Sequence, residues 1–261
     1  MSRRAIVALS VVALLFVALL IAGSFVSNAN VIDDKAWRGD PVPPCFVNAT
    51  LCGGHVLGTD EVGRDLLARL VVGARTSLGS SFLAAVFTFL FAVALAAAAR
   101  FGGPIVKYIV TCLSVGVSSL PAWPFLVVLI VVGGNARNEN WVSSSFVAIV
   151  VAAISWPKMT GLLGRTRALV PILDRFLRDW ASILLVVSTA AFLGYGMPPP
   201  PTSSWGGVLA SMEATMQTGW WVPFFPVLCI FGTVFGLRAV ARYALSSTSV
   251  TTGASGSPTS G

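Results

Sequence analysis

The segment HVLGTDEVGRD, at positions 55–65, contains a histidine and carboxylates, which are types that can carry out acid–base chemistry, and three of them are considered as a catalytic set: His55, Asp60 and Asp65. A histidine exchanges a proton near neutral pH, and a neighbouring carboxylate can orient its ring. The spacing of the three residues, however, matches no nucleophile–base pattern and no metal-ligand pattern. A structural role is therefore preferred over a catalytic pair of His55 with Asp60 or Asp65.

The composition of the chain is that of a membrane protein. Of its 261 residues, 56% are hydrophobic and only 10% are charged, whereas soluble domains carry about 25% charged residues. Six apolar stretches approach the roughly 20 residues that a helix needs to cross a bilayer. They are approximately Ala5–Val26, Leu78–Ala99, Tyr108–Gly133, Val142–Leu163, Trp180–Gly196 and Trp221–Ala244. The sequence predicts an all-α polytopic membrane protein with six transmembrane helices.

The first apolar stretch has two interpretations, because it also has the basic start of a signal peptide. A retained helix is favoured, since the stretch is longer than a signal core of roughly 7–15 residues and no clear cleavage site follows it. The chain is then divided into an N-terminal transmembrane helix (1–27), an extracytoplasmic loop (28–77), a core of five helices (78–244) and a disordered cytoplasmic tail (245–261).

The basic residues predict the orientation of the chain, because Lys and Arg accumulate in short cytoplasmic loops. With the N-terminus inside, eleven of the 17 basic residues fall on the cytoplasmic side. Both termini are therefore expected in the cytoplasm, and the net charge of +7 reflects topology and lipid headgroups rather than nucleic acid. Trp205, Trp220 and Trp221 would lie at the outer membrane interface, where aromatic residues are enriched.

The opening segment then belongs to the extracytoplasmic loop. Thr59 can cap a helix whose first turn carries Asp60 and Glu61, because carboxylates suit the positive end of a helix dipole. Asp65 and Arg69 have the i,i+4 spacing of a helical ion pair. The pattern predicts a short interfacial helix that leads into the second span.

The segment ILDRFLRDW, before the fifth span, is also predicted to be helical. Asp174 with Arg178, and Arg175 with Asp179, are two i,i+4 pairs of opposite charge. Pro171 limits where this helix can start. The helix is expected to continue into the fifth span.

The four cysteines divide by environment. Cys112 and Cys229 lie within spans and are expected to pack as small apolar residues. Cys45 and Cys52 lie in the extracytoplasmic loop, where oxidising conditions favour a disulfide, with free thiols as the alternative. They are not a metal-binding pair.

Three blocks of the sequence resemble one transporter family. Residues 55–79, HVLGTDEVGRDLLARLVVGARTSLG, are similar to the H-x-L-G-T-D-x-x-G-R-D segment of C-type permease subunits in dipeptide, oligopeptide and nickel ABC importers. Residues 190–209, AAFLGYGMPPPPTSSWGGVL, and 219–239, GWWVPFFPVLCIFGTVFGLRA, resemble two later blocks of that family. The family-motif positions of the first block are His55, Gly58, Thr59, Asp60, Gly63, Arg64 and Asp65.

The resemblance implies a type I ABC importer permease fold and a subunit that moves peptides across the cytoplasmic membrane. The implied partners are a second permease subunit, forming a heterodimer, cytoplasmic ABC ATPase subunits, an extracytoplasmic substrate-binding protein and membrane lipid. ATP and Mg²⁺ would bind to the ATPase subunits, and no cofactor or metal is expected in this chain. The resemblance assigns no substrate-binding residue.

The loop between the fourth and fifth spans departs from the family. Members carry an E-A-A-x3-G sequence there, and its short helix docks onto the ATPase, whereas residues 157–181 are shorter and lack this sequence. Two interpretations remain open: a solvated helix extension, or a reduced coupling helix. The candidate coupling residues are Arg165, Arg167, Leu169, Val170 and Ile172.

Several catalytic motifs are missing from the sequence. It contains no G-x-x-x-x-G-K-S/T, no H-E-x-x-H and no G-x-S-x-G, so neither a P-loop ATPase site nor these two hydrolase sites are predicted. We therefore expect a transport subunit rather than an enzyme. The alternatives are a permease for nickel or another small solute, and a structural or sensory membrane protein that does not transport.

Overall fold

The computed structural model describes residues 18, 21–22, 26, 31–32, 40–119, 144–165, 169–194 and 203–252. Within these ranges the regular structure is helical, and extended pairing is limited to isolated bridges of Ile32 with Arg64 and of Thr59 with Asp65. The helices are α1 (Leu66–Phe101), α2 (Gly103–Ser119), α3 (Ser144–Leu163), α4 (Leu169–Phe192), α5 (Trp205–Ala210), α6 (Met212–Thr215) and α7 (Trp221–Thr252).

Helix α1 is one continuous helix of 36 residues. It begins where the Asp65 carboxylate accepts a hydrogen bond from the Ala68 backbone N–H, and it ends at Gly102. The next residue, Gly103, has φ +80°, a conformation that favours glycine and so suits the sharp turn into α2. The predicted interfacial helix starting at Thr59 is therefore wrong, because the chain becomes helical only at Leu66 and then continues unbroken through the second predicted span.

Two helices of the described residues are long and apolar enough to cross a membrane, Leu66–Phe101 and Trp221–Arg242. They contain the second and nearly all of the sixth predicted span. Helix α2 is apolar but shorter, and it covers the start of the third span. The fourth and fifth spans coincide largely with α3 and α4, whereas nearly all of the first lies outside the described residues. The helical class is confirmed, and the number of six spans stays a prediction.

The core forms where α1 packs against α3 and α4, and where α4 packs against α7. Small residues on α1 are fully buried at these contacts, including Ala84, Ala92 and Ser81, which lets the helix axes approach closely. Trp180 of α4 donates its indole N–H to the Ser81 hydroxyl at 3.1 Å. This buried hydrogen bond thus joins α4 to α1.

Helix α4 confirms the predicted helical segment before the fifth span. It begins at Leu169, two residues before Pro171, and proline is tolerated in a first turn because that turn's N–H groups lack helical partners. Both predicted ion pairs form: Arg175 Nε lies 3.0 Å from Asp179, and Arg178 contacts Asp174.

Helix α7 extends further than hydropathy predicts. It continues past Ala244 to Thr252, into the segment where the sequence predicts a disordered tail. The tail prediction therefore begins too early, and residues 253–261 lie outside the described part of the chain.

Candidate functional site

The motif at positions 55–65 folds into a compact turn in front of α1. Asp60 N donates to the Arg64 carbonyl at 2.9 Å, and Leu66 N donates to the Gly58 carbonyl at 3.0 Å. Gly58 and Gly63 have φ +78° and +85°, conformations that side chains with a Cβ disfavour. The two glycines of the motif are thus needed for the path of the backbone.

Asp60 is the centre of a buried ion cluster. Its side chain is fully buried, and one carboxylate oxygen accepts from the backbone N–H groups of Val62 at 3.0 Å and Arg64 at 2.9 Å. The other oxygen accepts from Arg64 Nε at 2.8 Å and contacts the Arg69 guanidinium. A carboxylate buried with this many donors is fully paired, so its charge is compensated locally.

His55 and Asp65 form the second polar contact of the motif. His55 Nδ1 lies 2.7 Å from one oxygen of Asp65, and the other oxygen caps α1 by accepting from Ala68 N at 2.8 Å. Asp65, rather than Thr59, is therefore the helix cap. Its side-chain hydrogen-bond partner is His55, and not Arg69, which the i,i+4 spacing had predicted. Both Asp65 oxygens hold the turn on the helix, which is a structural use of the carboxylate.

Thr59 joins the motif to two distant parts of the chain. Its hydroxyl accepts from Val42 N at 2.8 Å, its own N–H donates to the Val42 carbonyl at 3.0 Å, and its carbonyl accepts from Trp221 Nε1 at 3.4 Å. A Cβ on the neighbouring Gly58 would lie 2.5 Å from the Val42 carbonyl oxygen and 2.9 Å from Trp221 Nε1. The motif is thus packed between the upstream loop and the start of α7.

Cys45 and Cys52 form a disulfide with a Cα–Cα distance of 4.8 Å. The bridge closes a small loop. This loop is attached to the motif, because Cys45 N donates to the Val56 carbonyl at 3.3 Å. The cysteines and the family motif therefore belong to one folded unit, which we call the cap (residues 41–65).

Trp205 links the start of α5 to α1, and the sequence pattern did not predict this contact. The Trp205 indole donates to the Leu70 carbonyl of α1 at 2.9 Å, and its backbone N–H donates to the Ser77 hydroxyl at 3.1 Å. Trp205 and Trp221 are both buried against the rest of the chain and Trp220 is 50% exposed, and the position of the three at the outer membrane interface stays a prediction. The serine before the tryptophan, in SSWGG, was the available signal for a helix start, since Ser204 caps α5.

Comparison with known proteins identifies the family. The chain is 30% identical over 207 residues to the dipeptide transport system permease protein DppC of Escherichia coli K12, covering 70% of this chain and 69% of that protein. It is 26% identical over 212 residues to the di/tripeptide transport system permease protein DppC of Pseudomonas aeruginosa, covering 70% and 68%. The chain belongs to the DppC family of transport permeases. Protein-family models give no match to this sequence.

In this DppC-family chain the described candidate coupling residues lie at the end of α3 and the start of α4, and their role in coupling stays a prediction. Leu169 is 79% exposed at the start of α4, and Arg165 is exposed in the turn after α3. Val170 and Ile172 are half-buried in the first turn of α4, and Arg167 lies outside the described residues. An apolar side chain is thus presented at this end of the helix pair.

The geometry of this DppC-family chain supports a positioning role for the motif. In the described ranges no group of three or more His, Cys, Asp or Glu residues could hold a metal ion. The charged residues of the motif are instead paired with one another and with backbone groups. The cap therefore fixes the start of α1 relative to the start of α7.

Proposed function

We propose that this chain is the transmembrane permease subunit of an ATP-driven importer for dipeptides or oligopeptides. The observation that carries the proposal is the 30% identity, over 70% of the chain, to a dipeptide transport system permease. The apolar helices α1 and α7 support it, because each is long enough to form part of a path through a membrane. A permease for nickel or another small solute, and a protein that does not transport, remain the competing functions.

The energy for transport would come from partner subunits. In this proposal the chain pairs with a second permease subunit and receives peptides from an extracytoplasmic substrate-binding protein. Two ATPase domains with ATP and Mg²⁺ lie on the cytoplasmic side and act on the turn between α3 and α4. The exposed Leu169 supports this placement, because an apolar side chain in a partner's cleft contributes more to binding than exposed charges at the rim.

The uptake of labelled peptides tests the function directly. We expect deletion of the gene to abolish uptake of a labelled dipeptide, and the intact gene on a plasmid to restore it. Uptake of the corresponding free amino acids is the control and should not change. Loss of nickel uptake with normal dipeptide uptake would assign the chain to the small-solute alternative, and normal uptake of both would favour a non-transporting role.

The proposed orientation has both termini in the cytoplasm of a multi-pass inner-membrane protein. Single added cysteines at Asn138 and Thr251 test it, with an impermeant thiol reagent applied to whole cells. We expect labelling at Asn138 and protection at Thr251 until the cells are opened. The reverse pattern would invert the topology.

A further inference from the structure

The disulfide-closed loop of the cap presents apolar side chains to its surroundings. Phe46 is 64% exposed, Val47 is 50% exposed and Leu51 is 56% exposed. Clustered apolar groups of this kind on a small loop mark a surface that contacts something other than water. We propose that this loop is immersed in the headgroup–acyl boundary of the lipid leaflet at the N-terminal end of α7.

Continuity with α7 points to lipid as the partner. The Phe46 ring makes an edge-to-face contact with Phe225 at 6.3 Å between centroids, and Phe224 and Trp220 continue the aromatic row at the start of α7. Further along α7, Phe231 and Phe235 are also exposed. The exposed side of a helix that can cross the membrane thus continues onto the loop, at the level where aromatic residues of membrane proteins gather.

The charge distribution favours the same partner. Residues 41–59 contain no Asp, Glu, Lys or Arg, although charged residues lie on both sides, at Asp40 and Asp60. Entry of this stretch into the boundary region requires no charged side chain to lose its water, which is the largest cost of burying polar groups in lipid. A surface that binds a soluble protein usually has a polar rim, and this stretch has no charged residue to form one.

The loop also satisfies many of its own backbone groups. The N–H groups of Val47 and Asn48 donate to the Pro44 carbonyl at 2.9 and 3.0 Å. The Asn48 side-chain oxygen accepts from Thr50 N at 3.1 Å and Leu51 N at 3.3 Å. Unpaired backbone N–H groups are the main obstacle to placing irregular structure near hydrocarbon, so these internal bonds lower the cost of immersion.

The inference rests on the proposed membrane placement of α7, and the test separates the two. A photoreactive benzoylphenylalanine is introduced at Phe46 in the full-length chain in native membranes, and adducts are analysed by mass spectrometry after irradiation. The same residue at Phe235 reports whether α7 lies in lipid. The same residue at Thr50, whose hydroxyl bonds to Asn48, is the matched control on the polar part of the loop.

We expect phospholipid adducts when the photoreactive residue is at Phe46 or Phe235, and no phospholipid adduct when it is at Thr50. Adducts of Phe46 with a protein chain would overturn the inference in favour of a docking surface for a protein. Phospholipid at Phe235 without any adduct at Phe46 would also overturn it, since the loop would then lie in water. Absence of phospholipid at both positions would overturn the membrane placement of α7 together with the inference.

Discussion

Trp221 donates its indole N–H to the backbone carbonyl of Thr59 at 3.4 Å, across 162 positions of the chain. The contact joins the first residue of α7 to the motif that precedes α1. Because Asp65 caps α1 only six residues further on, the starts of α1 and α7, which are both long and apolar enough to cross a membrane, are held together by one short segment. Changes in that segment should therefore affect the whole bundle rather than a local loop.

Substitution of Asp60 tests the buried ion cluster. We expect Asp60→Ala to destabilise the chain by about 3–5 kcal/mol, because the guanidinium groups of Arg64 and Arg69 would lose their shared buried partner. Asp60→Asn should cost less, since its amide oxygen can still accept from the backbone N–H groups of the turn. Thermal unfolding of the purified chain in detergent measures the difference.

The control for this series is Glu61→Gln. The Glu61 side chain is 28% exposed and lies 3.7 Å from Arg64, and ion pairs of this kind contribute at most about 1 kcal/mol. If Asp60→Ala unfolded at the same temperature as Glu61→Gln, the cluster would not support the fold.

Gly58→Ala tests the close approach of the motif to its neighbours. The new methyl group would lie 2.5 Å from the Val42 carbonyl oxygen, which is backbone and cannot move aside cheaply. Gly54→Ala is the matched control, because Gly54 has φ +91° but nothing within 4 Å of the new methyl group. Both variants carry backbone strain of about 1–2 kcal/mol, so the unfolding temperature should fall further for Gly58→Ala. Equal shifts would show that packing at Gly58 does not matter.

The cysteine pairing is tested by counting thiols. Without reductant, alkylation of the unfolded chain should modify two of its 4 cysteines, namely Cys112 and Cys229, which are free. After reduction all cysteines should react. Removing the bridge with Cys45→Ser and Cys52→Ser should lower stability by about 2–3 kcal/mol in the chain-entropy model. Four reactive thiols before reduction would contradict the disulfide.

Leu169→Asp tests whether the turn between α3 and α4 transmits the conformational change of the ATPase domains to the helices. In the complex reconstituted with its partners, the variant should assemble but lose substrate-stimulated ATP hydrolysis, because a charge replaces the exposed apolar contact. Arg165→Ala and Arg167→Ala should weaken hydrolysis only modestly. Normal turnover by Leu169→Asp would mean that this turn does not couple, and that the second permease subunit carries the contact alone.

The sequence predicted features that depend on neighbouring residues. The ion pairs of α4 are set by i,i+4 spacing, and hydropathy located the stretches in which α1 and α7 lie. Cys45 and Cys52 are close in sequence, so their pairing was also within reach. Each of these features depends on residues that are close in sequence or on one continuous apolar stretch.

The residue at the N-terminus of α1 that caps the helix was mispredicted, because Thr59 bonds to residues that are distant in sequence. Thr59 has the right chemistry to cap a helix, but its hydroxyl bonds to Val42, 17 residues away. Asp60 suits a first helical turn, yet Arg69 and Arg64 draw it into a buried cluster instead. The residue type of Trp205 likewise gave no indication that its indole donates to a carbonyl on α1, 135 positions earlier. Local pattern cannot reveal such tertiary contacts.

The unbroken course of α1 has a mechanical consequence. At 1.5 Å per residue its 36 residues form a rod about 54 Å long, well beyond the roughly 30 Å of a bilayer's hydrocarbon. The rod therefore projects out of the hydrocarbon or lies strongly inclined within it. A change in inclination of about 10° would swing one end by about 9 Å relative to the other. Because the cap is bonded to the first turn of α1 through Asp65, it would move together with that end of the helix as one rigid body.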